Sequence, residues 1–225
     1  MNVVTLDYPK ESAVIVSVVQ TKGGAGASTV RCAMALVANA AGMNVLLVGD
    51  EDHAAILGLP VAGVIDMVEN ITLVESLDKV PQAGIDAADL IIVAHEMMGV
   101  EWFDGRETHG HVADKTIVVV RADYLALRRA TQMPVVAASD GFVFVEEAGR
   151  SLGVRDVQNV LGVKCLATVP VRSSIARAID AGVMVTRLHG ALARPIRELL
   201  QRLDALNEEQ TALSYRLGDA RPEGE

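Results

Sequence analysis

The amino-acid sequence predicts an α/β fold: a doubly wound, mostly parallel sheet with helices on both faces. Short apolar runs rich in β-branched residues alternate along the chain with longer segments of helical periodicity. Hydrophobic residues make up 51% of the 225 residues and aromatic residues only 3%, which favours helices packed on a Val/Ile-rich sheet over an aromatic-rich β-sandwich. This length and composition fit one globular domain with a well-filled core.

The predicted strands are apolar on both faces, as buried parallel strands are. They cover residues 13–19, 45–48, 90–93, 116–120, 141–145 and 166–169. The helical patterns cover residues 28–41, 125–138, 157–161, 173–181 and 191–206. Alternating strands and helices imply right-handed crossovers, and such folds bind ligands at the carboxyl ends of the strands.

The chain is expected to contain an N-terminal extension (residues 1–12), a single domain (residues 13–206) and a flexible C-terminal tail (residues 207–225). The extension lacks the basic start and apolar run of an export signal, and no apolar stretch approaches the roughly eighteen residues that a membrane span needs. We therefore expect a cytoplasmic protein that does not enter a membrane. Cys32 and Cys165 are expected to be small hydrophobic residues rather than a disulfide.

A glycine-rich loop follows the first predicted strand and opens an alanine-rich helix. Its glycines let the backbone wrap around a polyphosphate, while its N–H groups and the helix N-terminus direct positive partial charge at the phosphates. The hydroxyl of Ser28 is placed to bind Mg²⁺, as in a P-loop. The alternative is a tight turn without a ligand. The predicted nucleotide-binding residues are Lys22, Gly23, Gly24, Ala25, Gly26, Ala27, Ser28 and Thr29.

This loop resembles the deviant Walker A motif of the ParA/MinD group of P-loop ATPases, K-G-G-x-G-K-[ST]-[ST], at every position except Ala27. Residues 89–93 resemble the Walker B strand of that family. Residues 113–120 and 124–130 resemble the strand and helix that follow its second switch. The resemblance extends over roughly residues 13–205, and it implies the P-loop NTPase fold of that family.

The resemblance also implies a ligand and a partner. Residues 167–170, Ile175 and residues 178–182 are similar to the segment that lines the adenine pocket in the family, so Pro170 is a further candidate for cofactor binding. The implied cofactors are ATP or ADP with Mg²⁺. The implied assembly is a homodimer in which Lys22 reaches the nucleotide of the partner subunit, which makes Lys22 a catalytic candidate as well.

Ala27 and Gly49 depart from the catalytic pattern of the family. Ala27 replaces the usual P-loop lysine, whose charge-assisted contact is worth about 1.5–3 kcal/mol, or roughly ten- to a hundredfold in nucleotide affinity. Gly49 stands where the family has the aspartate that positions the attacking water. Asp50, taken as the catalytic candidate, or Asp52 replaces that aspartate only with a shifted register.

The Walker B acid is missing as well. Ala94 or His95 occupies its position, and Glu96 is the nearest carboxylate. Phosphoryl transfer depends on positioning and on charge stabilisation, so ATP hydrolysis is expected to be slow or absent.

Charge is distributed unevenly along a chain of net charge −9. Residues 1–114 contain 5 Lys and Arg against 16 Asp and Glu, whereas residues 115–225 contain 15 against 13. This basic excess is either ordinary solvated helix surface or a face that contacts DNA phosphates without sequence preference. The candidate DNA-binding residues are Arg172, Arg177, Arg187, Arg194, Arg197 and Arg202.

Residues 96–114, between two predicted strands, offer weaker signals. His109 and His111, together with His95, form at most a poor metal motif, because no cysteine or acidic set accompanies them at a fixed spacing. Trp102 and Phe103 either fill a gap in the core or cover a dimer surface.

Two functions follow from these expectations. The first is a ParA-like nucleotide-dependent dimer that partitions or positions DNA, is associated with the nucleoid, and works with a ParB-like or other adaptor. The second is a regulatory scaffold such as a pilus-assembly localisation factor of the TadZ/CpaE type. A MinD-like membrane switch is disfavoured, because Glu208 and Glu209 do not fit a basic amphipathic C-terminal helix.

Overall fold

The computed structural model of the protein describes residues 13–59, 65–95 and 113–218. Its strands are β1 (Val14–Gln20), β2 (Val45–Val48), β3 (Ile65–Val68), β4 (Ile71–Val74), β5 (Leu90–Ala94), β6 (Lys115–Arg121), β7 (Gly141–Glu146) and β8 (Cys165–Pro170). These eight strands form one sheet in the order β3-β4-β2-β5-β1-β6-β7-β8. All neighbouring strands are parallel except β3 and β4, so the predicted mostly parallel sheet is confirmed.

The helices cover both faces of this sheet. They are α1 (Ala27–Ala40), α2 (Glu51–Leu57), α3 (Gln82–Asp86), α4 (Tyr124–Ala130), α5 (Pro134–Ala138), α6 (Val154–Leu161), α7 (Ser173–Asp180), α8 (Gly190–Arg202) and α9 (Glu208–Gly218). A 3₁₀ turn covers Leu77–Lys79. None of the helices in the described ranges combines the length and apolar composition that crossing a bilayer requires.

The core has two sides because successive residues of a strand point to opposite faces. Val16 and Ile92 pack with α1 and α8 on one face. Their neighbours Ile15 and Ile91 pack around α3 on the other face, and Phe142 and Phe144 pack there with α4, α5 and α6. β1 lies between β5 and β6, so the loop that follows it emerges at the centre of the carboxyl edge.

The predicted helix over residues 125–138 is two helices. Met133 has an extended backbone (φ −98°, ψ 112°) and separates α4 from α5. A residue before proline is disfavoured in the helical region, and Pro134 then starts α5 at a position where its missing N–H costs nothing. The apolar periodicity continued across the break and concealed it.

The predicted flexible tail is helical over α9. This helix packs against α1 and α8, and its Thr211 and Ser214 are buried. Arg197 of α8 donates hydrogen bonds to Ser214 Oγ (2.6 Å) and to the Ser214 carbonyl (3.0 Å). These contacts tie residues 208–215 to the domain, so the expectation of a flexible segment was wrong there.

Candidate nucleotide-binding site

The glycine-rich loop has the backbone that a phosphate site needs. Gly24 (φ +75°) and Gly26 (φ +96°) are left-handed, a conformation that glycine adopts without strain. Gly26 precedes α1 and provides no side-chain cap, so the first N–H groups of that helix are available to an anion. A Cβ atom at Gly23 or Gly24 would meet no atom within 4 Å, which leaves open space above the loop.

Lys22 is held by a carboxylate of its own chain. Its Nζ lies 3.1 Å from Oδ2 of Asp123, the residue that caps α4 by accepting a hydrogen bond from Ala126 N–H. Partial burial alone would raise the pKa of Asp123. The hydrogen bonds from Ala126 and Lys22 outweigh burial and lower it. The ion pair therefore holds Lys22 across the carboxyl edge of the sheet, next to the loop.

Arg121, at the end of β6, is a loop contact that the sequence analysis missed. Its Nη1 donates to the Gly24 carbonyl (3.1 Å), while its Nε and Nη2 contact Glu147 Oε2 at 3.2 and 3.1 Å. The hydrogen bond from Arg150, followed by the charges of both arginines, lowers the pKa of Glu147. The sequence did contain a signal for this contact, because Arg121 is a basic residue directly after the apolar run 116–120.

The start of α1 contains no lysine at the P-loop position. Ala27 is buried, and Arg31 lies one turn later on the same helix face. Arg31 is only 4% exposed, and its Nη2 lies 3.4 Å from Ser28 Oγ. A buried guanidinium therefore contacts the hydroxyl that was predicted to bind a metal.

The end of β2 is occupied by a histidine instead of a catalytic carboxylate. A Cβ atom at Gly49 would lie 2.6 Å from the fully buried ring of His53. Asp50 Oδ1 accepts a hydrogen bond from Asp52 N–H (3.1 Å) and lies 2.6 Å from His53 Nδ1, while Asp50 N–H donates to that same nitrogen (3.1 Å), so Asp50 caps α2. The catalytic candidate Asp50 is thereby engaged in a structural cap.

The pKa values of His53 and Asp50 are both lowered, for different reasons. Burial lowers the pKa of His53, and the nearby Arg31 lowers it further. Burial would raise the pKa of Asp50, but its hydrogen bonds with His53 and with the Asp52 N–H outweigh burial, and that pKa is lowered.

A cavity of about 600 Å³ opens beside Ser28 between α2 and α7. It is lined by Ser28, Asp52, Ala55, Ile56, Ile179, Asp180, Ala181 and Gly182. Ser28 and Asp52 thus present a hydroxyl and a carboxylate to one space, and Mg²⁺ prefers such oxygen donors when phosphates and water complete its coordination. The donors fit Mg²⁺, and Asp52 and Asp180, rather than Asp50, are the carboxylates that line this space with Ser28.

At the end of β5, Ala94 is buried and His95 Nδ1 lies 3.2 Å from Ser17 Oγ, so no carboxylate stands at the Walker B position. Glu96, Trp102, Phe103, His109 and His111 lie outside the described residues. In the described part of the chain, no group of three or more His, Cys, Asp or Glu side chains is arranged to hold a metal ion.

The remaining predicted contacts divide into two groups. Pro170 ends β8 at the carboxyl edge of the sheet, the edge at which the glycine-rich loop also lies.

Five of the six candidate DNA-binding arginines are exposed, namely Arg172, Arg177, Arg187, Arg194 and Arg202. Arg197 is buried beneath the Tyr215 ring, 3.8 Å from its centroid, so its assignment to a DNA-contacting surface was wrong. Arg202 also donates to the Leu166 carbonyl.

No protein-family model and no curated protein matches the chain. Several solved structures do match the chain. The septum site-determining protein MinD of Pyrococcus horikoshii, complexed with Mg-ADP, is 18% identical with a TM-score of 0.64, covering 88% of this chain and 98% of that one.

Two further structures show the same likeness. In the MinC:MinD cell division complex of Aquifex aeolicus, the matching chain is 17% identical with a TM-score of 0.68, and the coverage is 86% of this chain and 97% of that one. A ParA family ATPase from Chlorobium tepidum is 16% identical with a TM-score of 0.56, covering 87% and 98%. The chain therefore has the fold of the ParA/MinD group of P-loop ATPases.

Proposed function

We propose that the chain is a ParA/MinD-type switch that binds ATP or ADP with Mg²⁺ and forms a homodimer in the ATP-bound state. The observation that carries this proposal is the glycine-rich loop between β1 and α1, which presents left-handed glycines and an uncapped helix start at the carboxyl edge of a parallel sheet. Phosphates bind favourably at such an edge. Ser28 and Asp52 would hold the metal ion, which screens the charge of the phosphates. The Mg-ADP bound to the Pyrococcus MinD supports the same ligand.

The position of Lys22 supports dimerisation. It is one-third exposed, and Asp123 is its partner within the chain. Partly exposed ion pairs contribute only about 0.2–1 kcal/mol, so phosphates presented by a second copy compete effectively for this lysine. Exchange of Asp123 for a phosphate of the partner subunit's nucleotide would couple ATP binding to assembly.

Hydrolysis is proposed to be slow or absent. The positions of the two expected carboxylates are held by Gly49 packed on His53 and by Ala94 followed by His95. This observation favours, as a second candidate function, a scaffold of the TadZ/CpaE type in which nucleotide binding matters more than turnover.

DNA partition is a more specific version of the first candidate function, the nucleotide-dependent dimeric switch. The five exposed arginines named above would contact DNA phosphates without sequence preference, in the cytoplasm at the nucleoid. An adaptor, ParB-like or other, is proposed as the second partner, and the Aquifex MinD bound to MinC supports this kind of assembly.

One set of measurements tests the proposal. Calorimetry with ATP and ADP in the presence of Mg²⁺ is expected to give binding, and sedimentation is expected to give a dimer with ATP. Absence of binding at millimolar nucleotide would contradict the switch, and a monomer in every nucleotide state would contradict the dimer. Titration of nonspecific DNA with and without ATP, at two salt concentrations, separates the two candidate functions. Steeply salt-dependent, ATP-dependent binding supports partition, and no binding at low salt favours the scaffold.

A further inference from the structure

The position of Arg31 on α1 brings its positive charge to the glycine-rich loop. Side chains of an α-helix tilt toward its N-terminus, so a long side chain at position 31 covers the turn formed by residues 27 and 28. The 3.4 Å contact between Arg31 Nη2 and Ser28 Oγ places the guanidinium there. Position 27, where a P-loop has its lysine, is a buried alanine.

We propose that Arg31 supplies the positive charge that the loop lacks at Ala27 and contacts the phosphates of the bound nucleotide. This inference rests on the proposed nucleotide site. It concerns a residue of α1 outside the motif, four positions after the missing lysine.

The chemistry of the side chain suits the role. A guanidinium has five N–H donors in a planar fork, and it pairs with two phosphate oxygens at once. Arg31 is 4% exposed, and a charge in such surroundings acts on a nearby phosphate more strongly than the same charge in water.

Two titratable groups beside Arg31, His53 and Cys32, are uncharged at neutral pH. Burial lowers the pKa of His53, and Arg31 lowers it further, which keeps the imidazole neutral. Burial raises the pKa of Cys32 to about 12, so its thiol stays protonated. Neither group adds a negative charge next to the guanidinium.

Two other cations lie near the loop, and each has another role. Lys22 pairs with Asp123, and Arg121 pairs with Glu147 while it holds the Gly24 carbonyl. Arg121 therefore has a structural contact with the loop, and Lys22 is the residue proposed to act across the dimer. Arg31 is the cation whose side chain contacts Ser28 at the start of α1, beside the position of the missing lysine.

The test compares ATP affinities by calorimetry on the full chain. Arg31→Met is expected to weaken ATP binding by roughly ten- to a hundredfold, the loss expected for one charge-assisted contact. Arg155→Met, on the exposed surface of α6, makes the same change in net charge and is expected to bind like the wild type. Thermal unfolding and circular dichroism check that Arg31→Met is folded.

A rescue experiment separates a phosphate contact from a purely structural role. Adding Ala27→Lys to Arg31→Met is expected to recover most of the lost affinity, because the lysine restores a cation at the loop. In the wild-type background the same substitution is expected to tighten ATP binding by less than about threefold, since the two cations share one role. This last measurement needs no change at Arg31, so it remains decisive if Arg31→Met does not fold.

The outcomes are distinct. ATP binding by the wild type with unchanged affinity in Arg31→Met overturns the inference and leaves the proposed function standing. A loss that Ala27→Lys does not restore, or a tenfold gain from Ala27→Lys in the wild type, also overturns it. Failure of the wild type to bind ATP overturns both the inference and the proposed function.

Discussion

The ammonium group of Lys22 and the carboxylate of Asp123 form an ion pair of 3.1 Å within one chain, although they are separated by 101 positions in the sequence. The pair joins the glycine-rich loop to the start of α4 across the carboxyl edge of the sheet. A lysine that acts on a second subunit has to leave this partner first. The pair therefore opposes dimerisation by the free energy of one partly exposed salt bridge in each subunit.

Asp123→Asn should release Lys22 and strengthen ATP-dependent dimerisation. Asparagine caps a helix about as well as aspartate, so α4 should keep its start. Each subunit loses a pair worth about 0.2–1 kcal/mol, so the dimer, which loses two, should become up to roughly thirty times tighter, as measured by sedimentation with ATP. Lys22→Ala is the matched variant and should weaken the dimer more than it weakens nucleotide binding to the monomer. A dimer that weakens in Asp123→Asn would show that the pair supports assembly instead.

Gly24→Val should abolish nucleotide binding. The backbone at Gly24 has φ +75°, which a β-branched residue does not adopt without strain, and the new side chain would fill the open space above the loop. Calorimetry with ATP and ADP measures the loss. Gly190→Ala, at the start of α8, is the control because a Cβ atom there meets nothing within 4 Å and its φ is not left-handed. Undiminished binding in Gly24→Val would place the phosphates elsewhere.

The sequence was sufficient to predict the strands that end at the site but not the side chains that fill it. The central strands are short and apolar on both faces, a pattern that only a sheet covered by helices satisfies. The edge strand β3 and its neighbour β4 were missed because each has only four residues and a polar residue, Asp66 or Thr72, interrupts its apolar run. The glycine-rich loop was predictable because left-handed backbone conformations, as at Gly24 and Gly26, favour glycine at those positions in the sequence.

Packing between distant residues explains the errors at the site. His53 fills the space beside Gly49, and no local pattern indicates that an imidazole replaces a carboxylate there. Arg197 was expected on the surface because its partner Ser214 lies 17 residues later, in a segment that was expected to be flexible. Both contacts depend on which elements meet in space, and periodicity carries no information about that.

ATP turnover should be very slow, and Gly49→Asp alone should not restore it. The new Cβ atom would lie 2.6 Å from the His53 ring, so the substitution should cost roughly 1–3 kcal/mol of stability through overpacking. The double variant Gly49→Asp/His53→Ala removes this clash and should be folded, yet it still lacks the lysine and the Walker B acid. Phosphate release measures turnover. Rates typical of efficient ATPases in the wild type would show that another carboxylate has taken over the role.

Stability should fall as the pH drops below the ordinary pKa of histidine, about 6.5. The pKa of His53 is lowered in the folded chain, so between its unfolded and folded values the unfolded state binds the additional proton. The stability contributed by neutral His53 is fully present above the unfolded value and is lost as pH falls toward the folded one. The titration of one group changes the free energy of unfolding by at most about 1.4 kcal/mol per pH unit.

Urea unfolding at several values between pH 7.5 and 5.5 measures this loss. His53→Gln cannot titrate in that range and should show a flatter profile, although it is less stable at pH 7.5. Equal slopes in His53→Gln and the wild type would assign the pH dependence to other groups.

Arg197→Ala should destabilise the fold, in contrast to removal of an arginine from the surface of the same helix. The buried guanidinium donates to Ser214 Oγ and to the Ser214 carbonyl and lies against the Tyr215 ring, so it holds α9 on α8. Loss of hydrogen bonds from a charged group costs about 1.5–3 kcal/mol each, and their acceptors would be left buried without this donor. Arg194→Ala, which breaks only an exposed pair with Glu198, should change stability by no more than about 0.5 kcal/mol. Urea unfolding of both variants gives the comparison. Equal, small effects would mean that α9 contributes little to the domain, and that Arg197 is free to act on an external partner after all.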